Sequence, residues 1–470
     1  MKQNLTFGLA RFGLGQRLAE TRHDEDPREV LLAELGAAQL PLAGEANLQS
    51  TPMLIAVLRS TRSLIRKARD EAIEARKKAE AGGDIPATRV APGPTAGPAV
   101  PANPSGLIFY EEITARLQTA FQAPTGFVER LVWFWSNHFA TSATKSQLNR
   151  ILAGAFEREA IRPFVLGRFV DMLKAVERHP AMLIYLDNDH SIDPQSVAGA
   201  RKGRGLNENL AREILELHTL GVRGGYTQAD VTEFARAITG WTVNGIADPR
   251  KHAGFAFDPK RHANLPRRIL GKTYAQSGEE QGEAILEDLA LKPQTAEFIA
   301  LKFARHFVSD APSATLVKRL AERFIQTKGN LRNLAETLVS SNEAWNDGAQ
   351  KFRSPIEFVM ASHRAIGVEP SGPQVARMLL ELGQPIWSPP GPNGYSDMTA
   401  QWMTPQGLQS RLLFATEMGR KHAARLGLAL TREGGLAMRA SRTTRDAIAL
   451  AETREQAMTL LLMSPEFQWR

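Results

Sequence analysis

Residues 206–221, LNENLAREILELHTLG, decide the fold class of this chain. Projected at about 100° per residue, this segment turns its apolar side chains to one side of a helix. The members of that stripe are Leu206, Leu210, Ile214, Leu217 and Leu220. Helical spacing recurs in segment after segment from residue 107 onward, and no convincing run of alternating β-branched residues interrupts it. The sequence therefore predicts an all-α fold, a large multi-helix single domain.

Residues 224–241, GGYTQADVTEFARAITGW, contain a helix start. Thr227 is a candidate N-cap and Asp230 follows three residues later, which is the spacing of a capping box. Apolar residues then repeat on one face as far as Trp241, with Gly240 weakening the last turn. We therefore expect a helix that begins after Thr227.

One segment differs in composition from the rest of the chain. Residues 81–106, AGGDIPATRVAPGPTAGPAVPANPSG, are rich in proline, glycine and alanine and cannot bury a core. They predict a flexible, disordered linker or insertion. The predicted organisation is an N-terminal helical region over 1–80, this insertion over 81–106, and the main helical body over 107–470.

Composition limits the compartment and the chemistry. The 470 residues include no cysteine, which excludes disulfides, thiolate metal sites and cysteine nucleophiles. The N-terminus has no uninterrupted apolar signal region, and no run reaches about 18 apolar residues. We therefore expect no membrane span. The sequence as written favours the cytoplasm, and the periplasm or cell envelope stays the alternative.

The charge balance points toward an acidic partner. The net charge is +8 and the sequence pI is about 9.7, which suits an anionic or glycan polymer. Nucleic acid is disfavoured because the basic stretches carry no zinc-finger spacing and no RNA-binding aromatic motif. P-loop, HRD and GxSxG signatures are also missing.

Ionisable residues on apolar faces are the candidate catalytic groups. Glu213 falls inside the stripe of residues 206–221, and His218 lies on its flank. A buried carboxylate is costly unless it is paired, so Glu213 has either a partner or a task. The partner would be an arginine from another helix, Arg411 or Arg236. The task would be general acid/base catalysis or metal binding.

Two further histidines face inward on other predicted helices. His138 shares an aromatic face in residues 125–139, and His306 shares a face with Ile299 and Phe303. A single inward histidine is commonly a core residue, whereas several with a carboxylate indicate a site. The spacing matches no metalloprotease motif, so a metal or cofactor is left open. The predicted catalytic set is Glu213, His218, His138 and His306.

Aromatic residues gather in a late loop, residues 388–405, SPPGPNGYSDMTAQWMTP, and just before it. Trp387, Tyr395 and Trp402, with Asp397 among them, predict a stacking platform for sugar rings. The alternative is that these aromatics fix a long loop to the helices. His262, which lies among basic side chains, would suit an anionic group, and Arg411 completes the predicted substrate-binding set.

The motif RFGLG at residues 11–15 resembles the first half of a dinucleotide fingerprint. The third glycine position is Leu18, and no core strand precedes the motif, so nucleotide binding is disfavoured. Its glycines predict a turn, with Phe12 and Leu14 as anchors and Arg11 placed to pair with a carboxylate.

Several of these segments together resemble one bacterial family. VWFWSNHF, the block from NENLAREIL to AITGW, RHFVSDAP, the late loop followed by LQSRL, and RFGLG are similar to the family catalogued as domain of unknown function 1800. The resemblance implies a mostly helical bacterial protein with no established activity. It also implies a sulfatase-like partner encoded nearby and a cell-envelope setting. Arg223 stands where the family often has an acidic residue, which weakens any cation site in that loop.

Two functional hypotheses follow. The first is a hydrolase or lyase that acts on a polymeric or glycan-like substrate, with Glu213 as general acid/base, the three histidines in support and the aromatic loop over the substrate. The second is a non-catalytic helical scaffold that binds the sulfatase-like partner. The hypotheses differ in geometry, because an enzyme needs these residues to converge at an open cavity.

Overall fold

The structure is a computed structural model. It describes residues 5–18, 25–37, 41–81, 103–202, 205–246, 248, 250–346, 351–429 and 440–470. Most of the predicted insertion, residues 82–102, lies outside the described residues. The described chain is mostly helical, as the sequence predicts.

The first half of the chain forms eleven α-helices among the described residues. In chain order they are α1 (Leu5–Arg11), α2 (Pro27–Ala37), α3 (Thr51–Ala81), α4 (Ser105–Gln122), α5 (Phe127–His138), α6 (Gln147–Phe156), α7 (Phe169–Arg178), α8 (Pro180–Tyr185), α9 (Gly199–Lys202), α10 (Asn209–Glu213) and α11 (Gln228–Ala237). Two π-helical segments extend α6 and α10, at Glu157–Ile161 and Ile214–Thr219.

The second half begins with four short strands and continues with helices. The strands are β1 (Trp241–Asn244), β2 (Gly254–Phe257), β3 (Arg267–Ile269) and β4 (Lys272–Tyr274). The helices are α12 (Glu279–Ala290), α13 (Pro293–Phe307), α14 (Ala314–Gln326), α15 (Leu331–Ser340), α16 (Pro355–Ile366), α17 (Gly372–Glu381), α18 (Thr399–Trp402), α19 (Pro405–His422), α20 (Leu426–Ala429), α21 (Arg442–Ala449), α22 (Arg454–Met463) and α23 (Pro465–Gln468).

The strands correct the all-α prediction. β1 pairs antiparallel with β2, in the register Trp241 opposite Phe257, and β3 pairs with β4, Arg267 opposite Tyr274. Each strand has only three or four residues, too few for an alternating pattern to be visible in the sequence. Trp241, which the helical spacing assigned to the helix face, is instead the first residue of β1. Gly240, with φ of +85°, separates it from the helical turns.

The predicted start of α11 is confirmed. The Thr227 side chain accepts from the Asp230 backbone N–H, and the Asp230 carboxylate accepts from the Thr227 backbone N–H at 2.8 Å. This reciprocal capping box satisfies two donors that a helix N-terminus otherwise leaves free.

The π-helical turn after α10 shifts the predicted apolar stripe. Thr219 Oγ1 donates to the Ile214 carbonyl at 2.7 Å, five residues back. The extra residue in this turn brings Leu215 and His218 fully into the core and leaves Leu217 half-buried. A constant 100° step places Leu217 inside, so that detail of the prediction is wrong.

The N-terminal elements share the core of the main body. One cluster of buried apolar side chains extends from Phe12, through Leu31 and Leu54, to Phe467. The RFGLG motif forms the predicted turn. A Cβ at Gly13 would lie 2.3 Å from the Thr125 carbonyl oxygen, so glycine is required there. Arg11 donates to the Ala344 carbonyl at 3.1 Å.

Candidate functional site

A cavity of about 90 Å³ lies between the α5–α13 pair and the late aromatic loop. Its wall contains one predicted catalytic residue and four predicted substrate-binding residues. These are His306, Trp387, Tyr395, Asp397 and Trp402. The structure therefore brings together half of the ten predicted site residues.

His306 and Asp397 form a pair at one end of the cavity. His306 projects from the last turn of α13, and its Nδ1 lies 2.7 Å from Asp397 Oδ1. This short contact assigns the ring proton to Nδ1. On the other side, Arg130 Nη2 lies 3.3 Å from His306 Nε2, a long hydrogen bond. The side chains of His306 and Asp397 are 16% and 19% exposed, so both reach the solvent of the cavity.

Arg130 belongs to a buried network behind His306. Its Nη2 lies 2.7 Å from Glu357 Oε1, and Arg470 Nη2 lies 2.9 Å from the same oxygen. Arg470 Nη2 also donates to the His306 carbonyl at 2.8 Å. Both arginines donate to the carbonyl of Arg11 in the RFGLG motif. The N-terminal turn thus supports the wall that carries His306.

These surroundings set the charge states of the pair. Burial lowers the pKa of His306 below its ordinary value, and the Arg130 charge adds to this against the opposing effect of Asp397. Burial alone raises the pKa of Asp397, but its hydrogen bond with His306 and the charge of Lys351 bring the net pKa below normal. The site therefore holds a neutral imidazole beside a carboxylate at neutral pH, which is the arrangement of a general base and its orienting group.

Arg130 is charged at neutral pH. Burial and the charge of Arg470 lower the pKa of Arg130 to about 9, still above neutral pH. Although burial alone raises the pKa of Glu357, Arg130 and Arg470 hold it far below its ordinary value. Lys351 connects this wall to the loop, because its Nζ donates to Asp310 and to the Asp397 carbonyl.

The other end of the cavity is aromatic and is organised by Glu157. This buried carboxylate accepts from Arg116 Nε at 2.7 Å and from Trp387 Nε1 at 3.0 Å. The Arg116 guanidinium carbon lies 4.9 Å from the Trp133 ring and 5.5 Å from the Trp387 ring. Trp387 has a φ of +48°, a strained conformation that costs about 1 kcal/mol or more. Glu157 lies in a π-helical segment, a feature that is common at functional sites.

The late loop is fixed as well as aromatic. Tyr395 exchanges two backbone hydrogen bonds with the Asn137 side chain, and its hydroxyl donates to the Pro385 carbonyl at 2.5 Å. Trp402 Nε1 donates to the Ser396 carbonyl at 3.0 Å. The alternative interpretation of the aromatics, that they hold the loop, describes part of their role. Their rings also line the cavity.

His138 and His218 lie together but away from the cavity. Their ring centroids are 6.2 Å apart, and His138 Nε2 lies 3.1 Å from the His218 carbonyl. His218 Nδ1 lies 2.8 Å from Glu177 Oε1, with both side chains 0% exposed. Burial, followed by the Lys302 and His218 charges, lowers the pKa of His138 well below normal. These residues form a sealed polar cluster inside the core.

Glu213 lies at the edge of this sealed cluster. It is half-buried, and burial raises its pKa, with His218 opposing. Neither arginine proposed as its partner reaches it. Arg236 pairs with Glu233 at 2.6 Å, and Arg411 donates to Gln468 at 2.9 Å. The predicted structural pair is therefore wrong: each arginine has a nearer acceptor on its own or a neighbouring segment.

His262 and Arg411 occupy two other places. His262 is buried beside Thr239, with Nδ1 3.1 Å from the hydroxyl, and burial and Arg267 lower its pKa. Arg411 is 1% exposed and also donates to the Arg353 carbonyl. Neither residue lines the cavity.

The charged residues of the wall were not predicted from the sequence. They are Arg116, Arg130, Lys351, Glu357 and Arg470. Arg130 carried a usable signal, because it lies at helical spacing between the buried Phe127 and Phe134. Glu357 carried another, as the N3 residue of a capping box with Ser354. Arg470 and Lys351 carried no local signal, since their partners are distant in sequence.

The described residues hold no cluster of three or more His, Asp or Glu side chains arranged to bind a metal ion. In that same part of the chain, no helix is long and apolar enough to cross a membrane.

Comparison with known proteins gives a family and no activity. A family model described as a protein of unknown function (DUF1800) matches residues 8–469. Neither a curated protein nor a solved structure matches the chain. Because the match covers nearly the whole chain, the chain belongs to the DUF1800 family.

Proposed function

We propose that the cavity is the active site of a hydrolase or lyase that acts on a glycan-like polymer, with His306 as general base. The observation that carries this proposal is the His306–Asp397 pair, 2.7 Å apart, in a cavity lined by three aromatic side chains of the late loop region. Glu213, the base expected from the sequence, lies outside that wall.

The roles follow from the contacts. Asp397 holds the Nδ1 proton, which leaves the Nε2 lone pair to take a proton from water or from a substrate carbon. The substrate would replace the long 3.3 Å contact from Arg130. Arg130, still bound to Glu357, then faces the negative charge that develops in the transition state.

The cavity size limits what enters. A volume of about 90 Å³ is well below the roughly 300 Å³ or more of pockets that enclose a drug-sized ligand. A polymer would therefore place one unit or one chain end in the cavity. Trp387, Tyr395 and Trp402 supply apolar ring faces for that unit.

A panel of neutral and acidic polysaccharides tests this proposal. Hydrolysis is followed by new reducing ends, and elimination by the ultraviolet absorbance of the new double bond. We expect His306→Gln and Asp397→Asn each to lower kcat by about 100-fold or more. His190→Gln is the matched control, because His190 is 72% exposed and does not line the cavity. Full activity in both cavity variants would refute the assignment.

A scaffold is the second candidate, and one observation favours it. Most side chains of α3 between Arg62 and Lys78 are exposed, including Leu64 at 53% and Ile73 at 43%. This half of α3 is basic and mixed with apolar residues, a composition suited to a protein partner such as the sulfatase-like neighbour. Co-purification at several salt concentrations tests the idea, and failure at all of them removes it.

A further inference from the structure

We propose that Arg116 anchors a carboxylate group of the ligand that enters the cavity. The inference rests on the proposed function only because it takes this cavity as the ligand site. It adds a substrate class, an acidic saccharide, and gives a binding role to a residue that has no part in the proposed catalysis.

Arg116 is fixed before any ligand arrives. Its side chain is 6% exposed, its Nε is held by Glu157 at 2.7 Å, and its guanidinium lies beside the rings of Trp133 and Trp387. Little conformational entropy is left for a ligand to remove, so binding here is pre-organised.

The outer edge of the same guanidinium is unused. Neither Nη atom of Arg116 makes a hydrogen bond within the described chain, although the residue lines the cavity. Four N–H donors on these two nitrogens are therefore free. Trp133 Nε1, on the same wall, is buried without an acceptor among the residues described. The two Nη atoms of Arg116 are not among the buried unpaired donors, so the fork reaches the solvent of the cavity, where the acceptor of a ligand can meet it.

The other cations of the wall do not share this property. Arg470 uses Nε and both Nη atoms on Glu357 and on backbone carbonyls. Arg130 uses both Nη atoms, and Lys351 Nζ has two acceptors. Arg116 is the cation of the cavity that offers a free fork.

The chemistry of the fork selects the ligand. Two parallel N–H groups of a guanidinium match the two oxygens of a planar carboxylate. The charges around the cavity are balanced, because Glu157 pairs with Arg116 and Asp310 with Lys351 just behind the wall that Glu357 and Asp397 line. The free fork and the aromatic rings, and not a net charge, therefore select the ligand. A uronic acid unit, with a carboxylate for Arg116 and a ring for the tryptophans, fits both properties.

Tryptophan fluorescence titration with D-glucuronate measures this binding without any catalytic assay. We expect saturable binding to the wild-type protein and at least tenfold weaker binding of D-glucose. Arg116→Lys keeps the charge and loses the fork, so glucuronate should bind at least tenfold more weakly. Arg150→Lys is the matched control. Its guanidinium lies 4.3 Å from the Phe109 ring, close by but outside the cavity wall, and binding should change less than twofold.

Three results would overturn the inference: glucuronate that binds no better than glucose, an Arg116→Lys variant with wild-type affinity, or tighter binding of glucose 6-sulfate than of glucuronate. His306→Gln separates the two proposals, because it should lose activity and keep glucuronate affinity. Activity without glucuronate binding would leave the active-site proposal standing and end this one.

Chemical modification gives a second measurement that needs no variant to fold. Phenylglyoxal should modify Arg116 in the wild-type protein, and glucuronate should slow that modification at least fivefold, as followed by peptide mapping. Arg150 provides the internal control and should be unprotected. Equal rates at Arg116 with and without glucuronate would contradict the assignment.

Discussion

Replacing Glu357 with glutamine should strongly destabilise the protein, because this one carboxylate is paired with two buried arginines. Arg130 Nη2 and Arg470 Nη2 lie 2.7 Å and 2.9 Å from Glu357 Oε1, and the side chains of the three residues are 1%, 2% and 6% exposed. Removing one partner of a buried ion pair typically costs about 3–5 kcal/mol, because the remaining charge is left uncompensated. We expect Glu357→Gln to fall in that range.

A surface pair with the same geometry provides the control. Arg319 Nη1 lies 2.7 Å from Glu343 Oε2, the same separation as in the Arg130–Glu357 pair, but these side chains are 43% and 29% exposed. Exposed pairs contribute about 0–1 kcal/mol. Glu343→Gln should therefore cost less than about 1 kcal/mol, and the difference between the two variants isolates burial from distance.

Urea unfolding followed by tryptophan fluorescence at pH 7 gives both free energies. The pH dependence supplies a second check. Glu357 has a folded-state pKa below its unfolded value, so its stabilisation is present above about pH 4.5 and is lost as the pH falls below it. The difference in the free energy of unfolding between the wild type and Glu357→Gln should become smaller as the pH falls. A loss below about 1 kcal/mol at pH 7, or a gap that is constant down to pH 3, would refute this account.

Three further predictions address the histidines and the N-terminal turn. Burial lowers the pKa of His363 to about 4, so the unfolded chain binds a proton at this histidine below about pH 6.5 while the folded protein does not. The free energy of unfolding of the wild type should therefore fall by about 2 kcal/mol at pH 5 through this group, and in urea titrations His363→Asn should make that free energy less dependent on pH. Because the pKa of His306 is also lowered, catalytic activity should persist as the pH falls to 6.5 and decline only below that pH. A pH–rate profile with its acid midpoint above pH 6.5 would contradict the assignment of His306 as the base. Gly13→Ala should lower the free energy of unfolding by about 1–3 kcal/mol, because the added Cβ would lie 2.3 Å from the Thr125 carbonyl oxygen. Gly36→Ala in α2, where an added Cβ has nothing within 4 Å, should raise it by about 0.5–1 kcal/mol. Thermal unfolding of both variants measures the two effects.

The sequence predicts elements whose signals are local. The α11 capping box, the inward faces of α5 and α13, and the aromatic loop each depend on residues within about twenty positions of one another. The four strands escape prediction because three or four residues cannot display a period of two. The π-helical turn at Ile214–Thr219 escapes because projection assumes a constant angle per residue.

The residues of the candidate site likewise include some that local sequence signals predict and some that they do not. His306 and the loop aromatics are predictable because each lies in an apolar or aromatic segment. Their convergence with Arg130, Glu357 and Arg470 is not, since those contacts join positions more than a hundred residues apart. Glu213 and His218 gave equally strong helical signals, yet His218 is sealed in the core beside His138, both 0–1% exposed, and Glu213 lies half-buried at the edge of that cluster. The inward position of a residue on a helix does not by itself indicate whether its side chain lines the cavity or is sealed in the core.

The contact of Arg470 with the carbonyl of Arg11 has a consequence for biosynthesis. These residues are 459 positions apart, and Arg470 also holds the carbonyl of His306. During translation, every other residue of the cavity wall is made before Arg470 leaves the ribosome. Arg130 and Glu357 can pair earlier, but Arg470 can hold the backbone of His306 only after Arg470 itself has emerged. The nascent protein therefore carries an incomplete cavity wall until then, and contacts of such long sequence separation also slow folding.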